Sequence, residues 1–260
     1  MCSSDLSGEI LITLVSADPA LPGLQAMADG WMGRWSTVVG VCLNLQPEAS
    51  NRLLGVQTQL LAGRTWLEER FAGLRYRIGA DTFFQVNTRQ AEAVVPLLEE
   101  AFQPPPNEAP ALLLDAYCGI GTYSLPLARR GWQVLGLEHH EASVELAVAN
   151  SRLNGLDGQA RFECAPVGEV LAERLGHLGR PTRLLLDPPR KGLDPEALEA
   201  ITTALPSRIA YLSCDPATLA RDLGRLQASG RYRIEWVQPI DFFPNTSHVE
   251  CLAVLQLLDT

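Results

Sequence analysis

The sequence has no paired cysteines and no long apolar run, and each absence excludes a class of protein. The six cysteines in its 260 residues form no Cys-x-x-Cys pair and no metal-like spacing with the four histidines, so we expect reduced thiols and no metal site. No apolar run approaches the ~20 residues of a membrane span. No secretory leader is visible either, so we expect a cytoplasmic chain without a membrane partner.

Lysine is almost absent, because Lys191 is the single lysine beside twenty arginines. The net charge of −9 argues weakly against a nucleic-acid partner, since phosphate contacts supply most of such affinity. An excess of arginine is typical of a GC-rich genome and also of proteins that bind phosphate bidentately. The whole-chain charge leaves both interpretations open.

From Asp115 onward, strands and helices alternate, and most strands are continuous apolar runs, as in a parallel sheet covered on both faces. The predicted strands are Ala111–Asp115, Gln133–Glu138, Ala160–Cys164, Arg183–Asp187, Arg208–Ser213, Tyr232–Gln238 and Cys251–Leu258. The predicted helices between them are Ser124–Arg130, Glu141–Asn154, Val167–Leu175, Pro195–Ala204 and Pro216–Ala228. Seven strands with alternating helices predict a doubly wound α/β domain over residues 85–260.

The first 84 residues have a different pattern. The segments "EILITLVSAD", "STVVGVCLNL" and "LRYRIGADTFFQ" are β-rich, whereas "LPGLQAMADGWMGRW" is helical in pattern. These segments predict a small α+β domain over residues 1–84. A helix from Thr88 to Phe102 and the linker "QPPPNEAP" then lead to the first strand of the larger domain.

The segment "LLLDAYCGIGTYSLPLA" places Asp115 at a strand end, followed by Gly119-x-Gly121 and a helix. Glycines there either let the backbone approach a ligand or simply make a turn. Glu138 ends the next strand, where a carboxylate accepts both hydroxyls of an adenosine ribose. A dinucleotide oxidoreductase needs a third glycine, but Ser124 stands at that position. The combination resembles the S-adenosylmethionine methyltransferases more than NAD enzymes.

Asp187 ends the fourth predicted strand in "LLLDPPRKGLD", at the edge where the cofactor is expected. As structure alone, this segment is an Asp-Pro turn stiffened by a second proline. Methyltransferases that act on base nitrogens often carry an aromatic residue after Asp-Pro-Pro, and Arg190 stands in that place. This departure favours a different target atom.

Cys214 follows the fifth strand in "AYLSCDPATLARD", at the start of a helix, a position that favours a thiolate. The structural alternative is an inert packed cysteine. A methyltransferase needs a nucleophile when its target atom is too weak to attack unaided, as C5 of a pyrimidine is. Thiolate addition to C6 activates C5, and a base must later remove the C5 proton. The segment "FFPNTSHVECLAV" offers Glu250 and His248 for that step, or is only a polar turn.

Together these segments resemble the RNA 5-methyluridine methyltransferases, which methylate uracil C5 in tRNA and large-subunit rRNA. The resemblance runs from about Gly8 to the C-terminus and includes "FFQVNTRQAE", "DAYCGIGTYSLPLA", "DPPRKGLD", "SCDPATLARDL" and "FPNTSHVE". It implies a class I, Rossmann-like fold, a monomer, S-adenosylmethionine as cofactor and a flipped-out uridine of rRNA or tRNA as substrate. By the same resemblance Cys214 is the nucleophile and Glu250 the proton acceptor. The implied cofactor-binding residues are Gln85, Tyr117, Glu138 and Asp187.

The sequence departs from this family at three positions near the expected site. Asp215 replaces the usual Asn, Asn245 the usual His, and Cys251 a common Thr. A negative charge at Asp215 is expected to raise the pKa of the neighbouring thiol.

The sequence also lacks two features that some family members carry. Many members begin with a small RNA-binding barrel, and some hold an iron–sulfur cluster on four cysteines. Because this chain shows neither pattern, we expect no iron–sulfur cluster and an N-terminal truncation relative to the family. A cytosine-C5 RNA methyltransferase and a non-catalytic RNA-binding relic remain the alternatives.

Overall fold

A computed structural model describes residues 2–3, 7–48, 53–103, 111–178 and 182–258. The chain separates into two compact units, Met1–Phe84 and Gln85–Thr260. Most of the linker predicted at residues 103–110 lies outside the described residues. Within the described ranges, no helix is both long enough and apolar enough to cross a membrane.

The first unit contains a small mixed sheet that carries one helix, followed by a hairpin. In chain order, its described elements are β1 (Cys2–Ser3), β2 (Ile10–Ser16), α1 (Leu24–Arg34), β3 (Val38–Leu45), β4 (Gln57–Gly63), β5 (Trp66–Phe71) and β6 (Leu74–Gly79). The sheet order is β1-β2-β3-β4, and β2 and β3 are parallel because α1 connects them. Ala28 of α1 is buried with Val38 and Val41 of β3.

The second unit consists of a seven-stranded sheet with helices. Its described elements are α2 (Thr88–Ala101), β7 (Leu112–Ala116), α3 (Ser124–Arg129), β8 (Gln133–Glu138), α4 (Glu141–Leu153), β9 (Ala160–Cys164), α5 (Val167–Leu178), β10 (Thr182–Leu186), α6 (Pro195–Ala204), β11 (Arg208–Ser213), α7 (Pro216–Ala228), β12 (Tyr232–Ile240) and β13 (Glu250–Leu257). The strand order is β12-β13-β11-β10-β7-β8-β9. This arrangement confirms the predicted α/β class with a seven-stranded sheet.

Burial on both faces explains the apolar sequences of the central strands. Leu113, Leu114, Leu184 and Leu186 are completely buried, because helices cover the parallel sheet. The strands β8, β7, β10 and β11 pair in parallel, so their carboxyl ends lie at the same edge. Ligands bind at this edge in open α/β sheets.

The last two strands differ from the parallel pattern. A chain reversal after β12 makes β13 antiparallel to both β12 and β11. Four strands differ from their predicted bounds: β7 and β10 are shifted by one residue, β12 continues to Ile240, and β13 spans Glu250–Leu257 rather than Cys251–Leu258. Strand β12 continues through Pro239 because it lies at the sheet edge, where a missing N–H is tolerated.

Gly136, in the middle of β8, is required by close packing between β8 and the loop after β7. A Cβ at this position would lie 2.5 Å from the Phe162 ring and 2.8 Å from Sγ of Cys118. We therefore expect Gly136→Ala to destabilise the chain by about 1–3 kcal/mol through overpacking. Gly158→Ala is the matched control, because a Cβ there meets nothing within 4 Å. Chemical denaturation measures both variants, and equal free energies of unfolding would contradict the packing described.

Candidate active site

Five of the six predicted site residues lie at the carboxyl edge of the sheet. Tyr117 follows β7, Glu138 ends β8, Asp187 follows β10 and Cys214 follows β11. Glu250 reaches the same edge from the opposite direction, because β13 is antiparallel and pairs Cys251 with Ser213. The register of the sheet therefore brings together residues that are far apart in the sequence.

Gln85, the sixth predicted residue, precedes α2 and is buried. The neighbouring Asn87 caps this helix by accepting the Gln90 N–H, and its amide donates to the Phe242 carbonyl at 3.2 Å. Phe242 lies in the segment that leads to Glu250. The start of α2 is thus attached to the segment that precedes β13.

The loop between β7 and α3 has three left-handed residues, with φ of 71° at Tyr117, 55° at Gly119 and 83° at Gly121. The N–H groups of Tyr117 and Cys118 donate to the Leu137 carbonyl, which holds the loop against β8. A Cβ at Gly121 would press on Phe162 at 3.2 Å, whereas one at Gly119 would meet nothing within 4 Å. Gly121 therefore serves packing, and Gly119 leaves its backbone open to a ligand.

Hydrogen bonds fix the Glu138 carboxylate. One oxygen, Oε2, accepts the Gly119 N–H at 3.1 Å, and the other accepts the backbone N–H groups of His139 and His140. Oε1 also lies 2.9 Å from the His139 ring. Since each carboxylate oxygen has two acceptor sites, Oε2 keeps capacity for a ligand hydroxyl.

Asp115 is buried within β7, where its carboxylate accepts the hydroxyl of Ser124 at the start of α3. Burial raises the pKa of Asp115 to about 7, and the Glu138 charge adds to the rise, while the Ser124 hydrogen bond opposes it. Ser124, at the position where a dinucleotide fingerprint has glycine, therefore joins strand to helix. This bond gives Asp115 a structural role beneath the glycine loop.

Asp187 follows β10, and its backbone N–H donates to the Ala116 carbonyl of the neighbouring strand. Burial raises the pKa of its carboxyl group well above the usual range, and the charges of Glu250, Asp115 and Glu138 raise it further. The carboxylates at this edge thus act on one another. Their combined negative potential favours a cation or hydrogen-bond donors.

Cys214 lies at the start of α7, half-buried, between charges of both signs. Burial raises the pKa of its thiol, and Glu250 and Asp187 add to the rise. Arg190 opposes them through its charge and a side-chain hydrogen bond to the thiol. The expectation that the helix start would favour a thiolate is therefore wrong, because burial and the two carboxylates outweigh Arg190.

The two candidate proton acceptors, Glu250 and His248, have different surroundings. Glu250 is buried as the first residue of β13, and burial raises its pKa to about 6. His248 is exposed and packs edge-on against Phe243, with ring centroids 6.1 Å apart. Of the two, Glu250 is the one that acts electrostatically on both Cys214 and Asp187.

The three departures from the family pattern have local structural explanations. Asp215 caps α7 by accepting the Thr218 N–H at 2.8 Å, and this bond lowers the pKa of Asp215. Asn245 has a left-handed φ of 66°, which Asn tolerates well, and Cys251 is buried in the core.

Sequence reasoning singled out Arg190 only as the residue that replaces an aromatic side chain. The structure places its guanidinium beside the Cys214 thiol instead. A sequence signal could have indicated this position of Arg190. It is a basic residue shortly after the Asp-Pro that ends one strand, combined with a cysteine that follows the next strand.

Comparison with known proteins gives a consistent result. The sequence model of one family, tRNA (uracil-5-)-methyltransferase, matches residues 6–165 and 178–257. An uncharacterised RNA methyltransferase of Thermosynechococcus vestitus is 48% identical over 249 residues, covering 96% of this chain and 54% of that protein. A second, from Synechocystis sp., is 45% identical over 253 residues, covering 97% and 53%. The chain spans about half the length of the curated relatives it matches.

Solved structures agree. The Pyrococcus abyssi tRNA (uracil-54, C5)-methyltransferase, in complex with S-adenosyl-L-homocysteine, aligns with a TM-score of 0.75 at 28% identity, covering 97% of this chain and 58% of that chain. The M. jannaschii tRNA m1G37 methyltransferase aligns with a TM-score of 0.59 at 12% identity, covering 97% and 74%. The second likeness shows the fold alone.

The electrostatic coupling between Glu250 and Cys214 predicts the reactivity of the thiol. Above about pH 6 Glu250 is charged and raises the pKa of Cys214, so Glu250→Gln should lower that pKa. At pH 8 we expect alkylation of Cys214 to become about threefold faster, because a larger fraction of the thiol is then ionised. Towards pH 6 the difference should shrink, because Glu250 becomes neutral in the parent chain as well.

Mass spectrometry of the tryptic peptide 209–221, which contains Cys214 alone, measures this rate. Glu196→Gln removes the same charge from an exposed position in the first turn of α6 and serves as the control. A rate in Glu250→Gln that is unchanged or slower than in the parent would show that Glu250 does not act on the thiol.

Proposed function

The chain belongs to the tRNA (uracil-5-)-methyltransferase family, and we propose that it transfers a methyl group from S-adenosylmethionine to C5 of a uridine in RNA. The observation that carries the proposal is the convergence of Cys214, Glu250 and Arg190 at the sheet edge, beside the glycine loop after β7. The substrate is a uridine of tRNA or rRNA: the similar proteins are RNA methyltransferases, the Pyrococcus abyssi enzyme acts on tRNA, and the motifs resemble enzymes of both substrate classes.

The residues at this edge fit S-adenosylmethionine, which when bound supplies an electrophilic methyl group on a sulfonium. Gly119 has a left-handed backbone with open space where a Cβ would lie. Glu138 keeps an acceptor site on Oε2 for a ribose hydroxyl, and the potential of Asp187 and its neighbours suits a cationic ligand. We assign cofactor binding to Glu138, Asp187, Tyr117 and Gln85.

The target carbon explains the cysteine. C5 of uracil becomes nucleophilic when the Cys214 thiolate adds to C6, because the electron pair of the C5–C6 double bond moves into an enolate through C4 and O4. C5 would then form its bond to the methyl carbon that the cofactor supplies, as the bond between that carbon and sulfur breaks and its electron pair stays on sulfur. Arg190 stabilises the thiolate as it forms, through its charge and its hydrogen bond.

A base must complete the reaction, since C5 carries both a proton and the new methyl group after transfer. Glu250 takes the C5 proton, the electron pair re-forms the C5–C6 double bond, and the thiolate leaves from C6. A pKa of about 6 leaves Glu250 mostly ionised at neutral pH and more basic than an exposed carboxylate. Because C5 and C6 are covered in stacked RNA, the uridine must leave the stack to reach Cys214.

The cofactor assignment predicts the effect of Glu138→Ala. Loss of charge-assisted hydrogen bonds should weaken S-adenosylmethionine binding by roughly 1.5–3 kcal/mol. Titration calorimetry measures the change. Glu141→Ala, which removes an exposed carboxylate from the first turn of α4, should leave the affinity unchanged. Equal affinities for the two variants would remove Glu138 from the cofactor site.

The two catalytic roles predict different failures. Cys214→Ala should abolish methyl transfer, because C5 is not activated without addition at C6. Glu250→Gln should still add and methylate, but elimination stalls, so a covalent protein–RNA adduct that carries the methyl group accumulates. To detect this adduct, the variant is incubated with labelled cofactor and with tRNA or rRNA, and the products are separated on a denaturing gel. Cys214→Ala is the negative control. Normal turnover by Glu250→Gln would falsify Glu250 as the base, and His248 would be tested next.

A further inference from the structure

The loop between β10 and α6, residues 187–194, begins with Asp187 and carries Arg190. It contains Pro188 and Pro189, which lack an N–H, and a turn closed by the Gly192 N–H donating to the Pro189 carbonyl at 2.8 Å. A single turn does not fix where the Arg190 side chain lies. The hydrogen bonds from outside the loop that hold its middle, at Lys191 and Leu193, come from helix α7.

Asp222 of α7 is completely buried and makes several hydrogen bonds. Its Oδ2 accepts the Leu193 N–H of the loop and the Tyr211 hydroxyl of β11, both at 2.9 Å. Its Oδ1 accepts the Nε–H of the adjacent Arg221 at 2.9 Å. A buried carboxylate is unfavourable unless it is paired and hydrogen-bonded, and this carboxylate meets both conditions.

Arg221 extends the attachment to the loop. Its guanidinium donates to the Lys191 carbonyl at 2.8 Å while it pairs with Asp222. Between Lys191 and Leu193, Gly192 has a φ of 75°, and a Cβ there would lie 2.5 Å from Oδ2 of Asp222 and 2.6 Å from Arg221. Two adjacent residues of α7 thus hold the backbone on both sides of Gly192, directly after Arg190.

The same carboxylate is joined to the segment that carries the cysteine. Tyr211 lies three residues before Cys214 on β11, and α7 begins two residues after it, at Pro216. Asp222 therefore connects the strand and helix on either side of Cys214 with the loop that carries Arg190. The charged groups that act on the thiol are Arg190 from this loop, Asp187 at its start and Glu250 from β13.

We propose that Asp222, with Arg221 as its partner, is a positioning residue that holds the Arg190 guanidinium against the Cys214 thiol. This inference rests on the proposed function only in taking Cys214 as the nucleophile. Asp222 touches neither the thiol nor the reacting atoms, and it acts through the loop. A role confined to folding is the alternative that the experiment must exclude.

The experiment measures Cys214 alkylation between pH 6.5 and pH 10 in the full chain without cofactor or RNA. Asp222→Asn and Arg190→Met should each raise the apparent pKa of the thiol, and each should slow alkylation at pH 8 by about fivefold. The double variant should be no slower than Arg190→Met alone, because Asp222 acts through Arg190. Such non-additivity is the signature of coupled residues.

Arg221→Lys is a second variant, needed because substitution of the buried Asp222 could prevent folding. Arg221 is partly exposed, so its substitution should leave the chain folded. A lysine keeps the charge beside Asp222, but its single ammonium group does not reproduce the fork that reaches both Asp222 and the Lys191 carbonyl. It should slow Cys214 alkylation in the parent chain and have no effect in the Arg190→Met background. If Asp222→Asn shows no cooperative unfolding transition, Arg221→Lys decides the outcome.

Two controls separate positioning from general loosening. Tyr211→Phe removes a hydrogen bond to the same carboxylate without touching the loop, so it should lower the unfolding midpoint but change Cys214 alkylation less than twofold. The exposed Cys164, in the tryptic peptide 162–174, should alkylate at the same rate in every variant.

Two results would overturn the proposal. One is an unchanged rate of Cys214 alkylation in both Asp222→Asn and Arg221→Lys. The other is that these substitutions slow alkylation equally in the parent chain and in the Arg190→Met background. Because alkylation requires neither RNA nor methyl transfer, its outcome is independent of whether the chain methylates uridine. If the chain showed no methylation activity, the proposed function would be rejected, but the conclusion that alkylation gives about Asp222 and Arg190 would still hold.

Discussion

The parallel hydrogen-bond register of β8, β7, β10 and β11 is the constraint on which the candidate site depends. Each of these strands ends at the same edge, so each delivers one chemical group there without further adjustment. Glu138, Asp187 and Cys214 are separated by many residues of sequence but by only a strand or two of sheet. A strand shifted by one residue would move its terminal side chain by about 3.3 Å along the sheet, so the register that pairs the strands also fixes the site.

The groups around Cys214 favour the protonated form of its thiol. Burial and two carboxylates raise the pKa of Cys214, and one guanidinium opposes them. A cysteine in this condition reacts slowly with oxidants and electrophiles, since the thiolate is the reactive form. A cationic ligand near Asp187 would offset the negative potential around the thiol and so lower the pKa of Cys214. The family comparison agrees with the resemblance read from the motifs.

Much of the fold was predictable from the sequence. Continuous apolar strands and proline-started helices predicted the α/β sheet, and β8, β11, α6 and α7 have the predicted bounds because pattern and capping agree there. The charge state of Cys214 was not predictable, because it depends on carboxylates that only the folded sheet brings close. Asp215 illustrates the same limit: its side chain turns to cap α7, and sequence alone shows the charge but not its direction. The proximity of Arg190 and the contacts of Asp222 likewise arise from tertiary packing.

The position of Glu250 at the first residue of β13 has a consequence for how such an enzyme can diverge. Because Cys251 pairs with Ser213, the spacing between Glu250 and Cys214 is set by the ~4.8 Å separation of neighbouring strands rather than by the segment before β13. Residues 241–249, most of which are exposed, can therefore vary in sequence while this spacing stays constant. Selection on that segment is thus separated from selection on the pair of groups at the sheet edge.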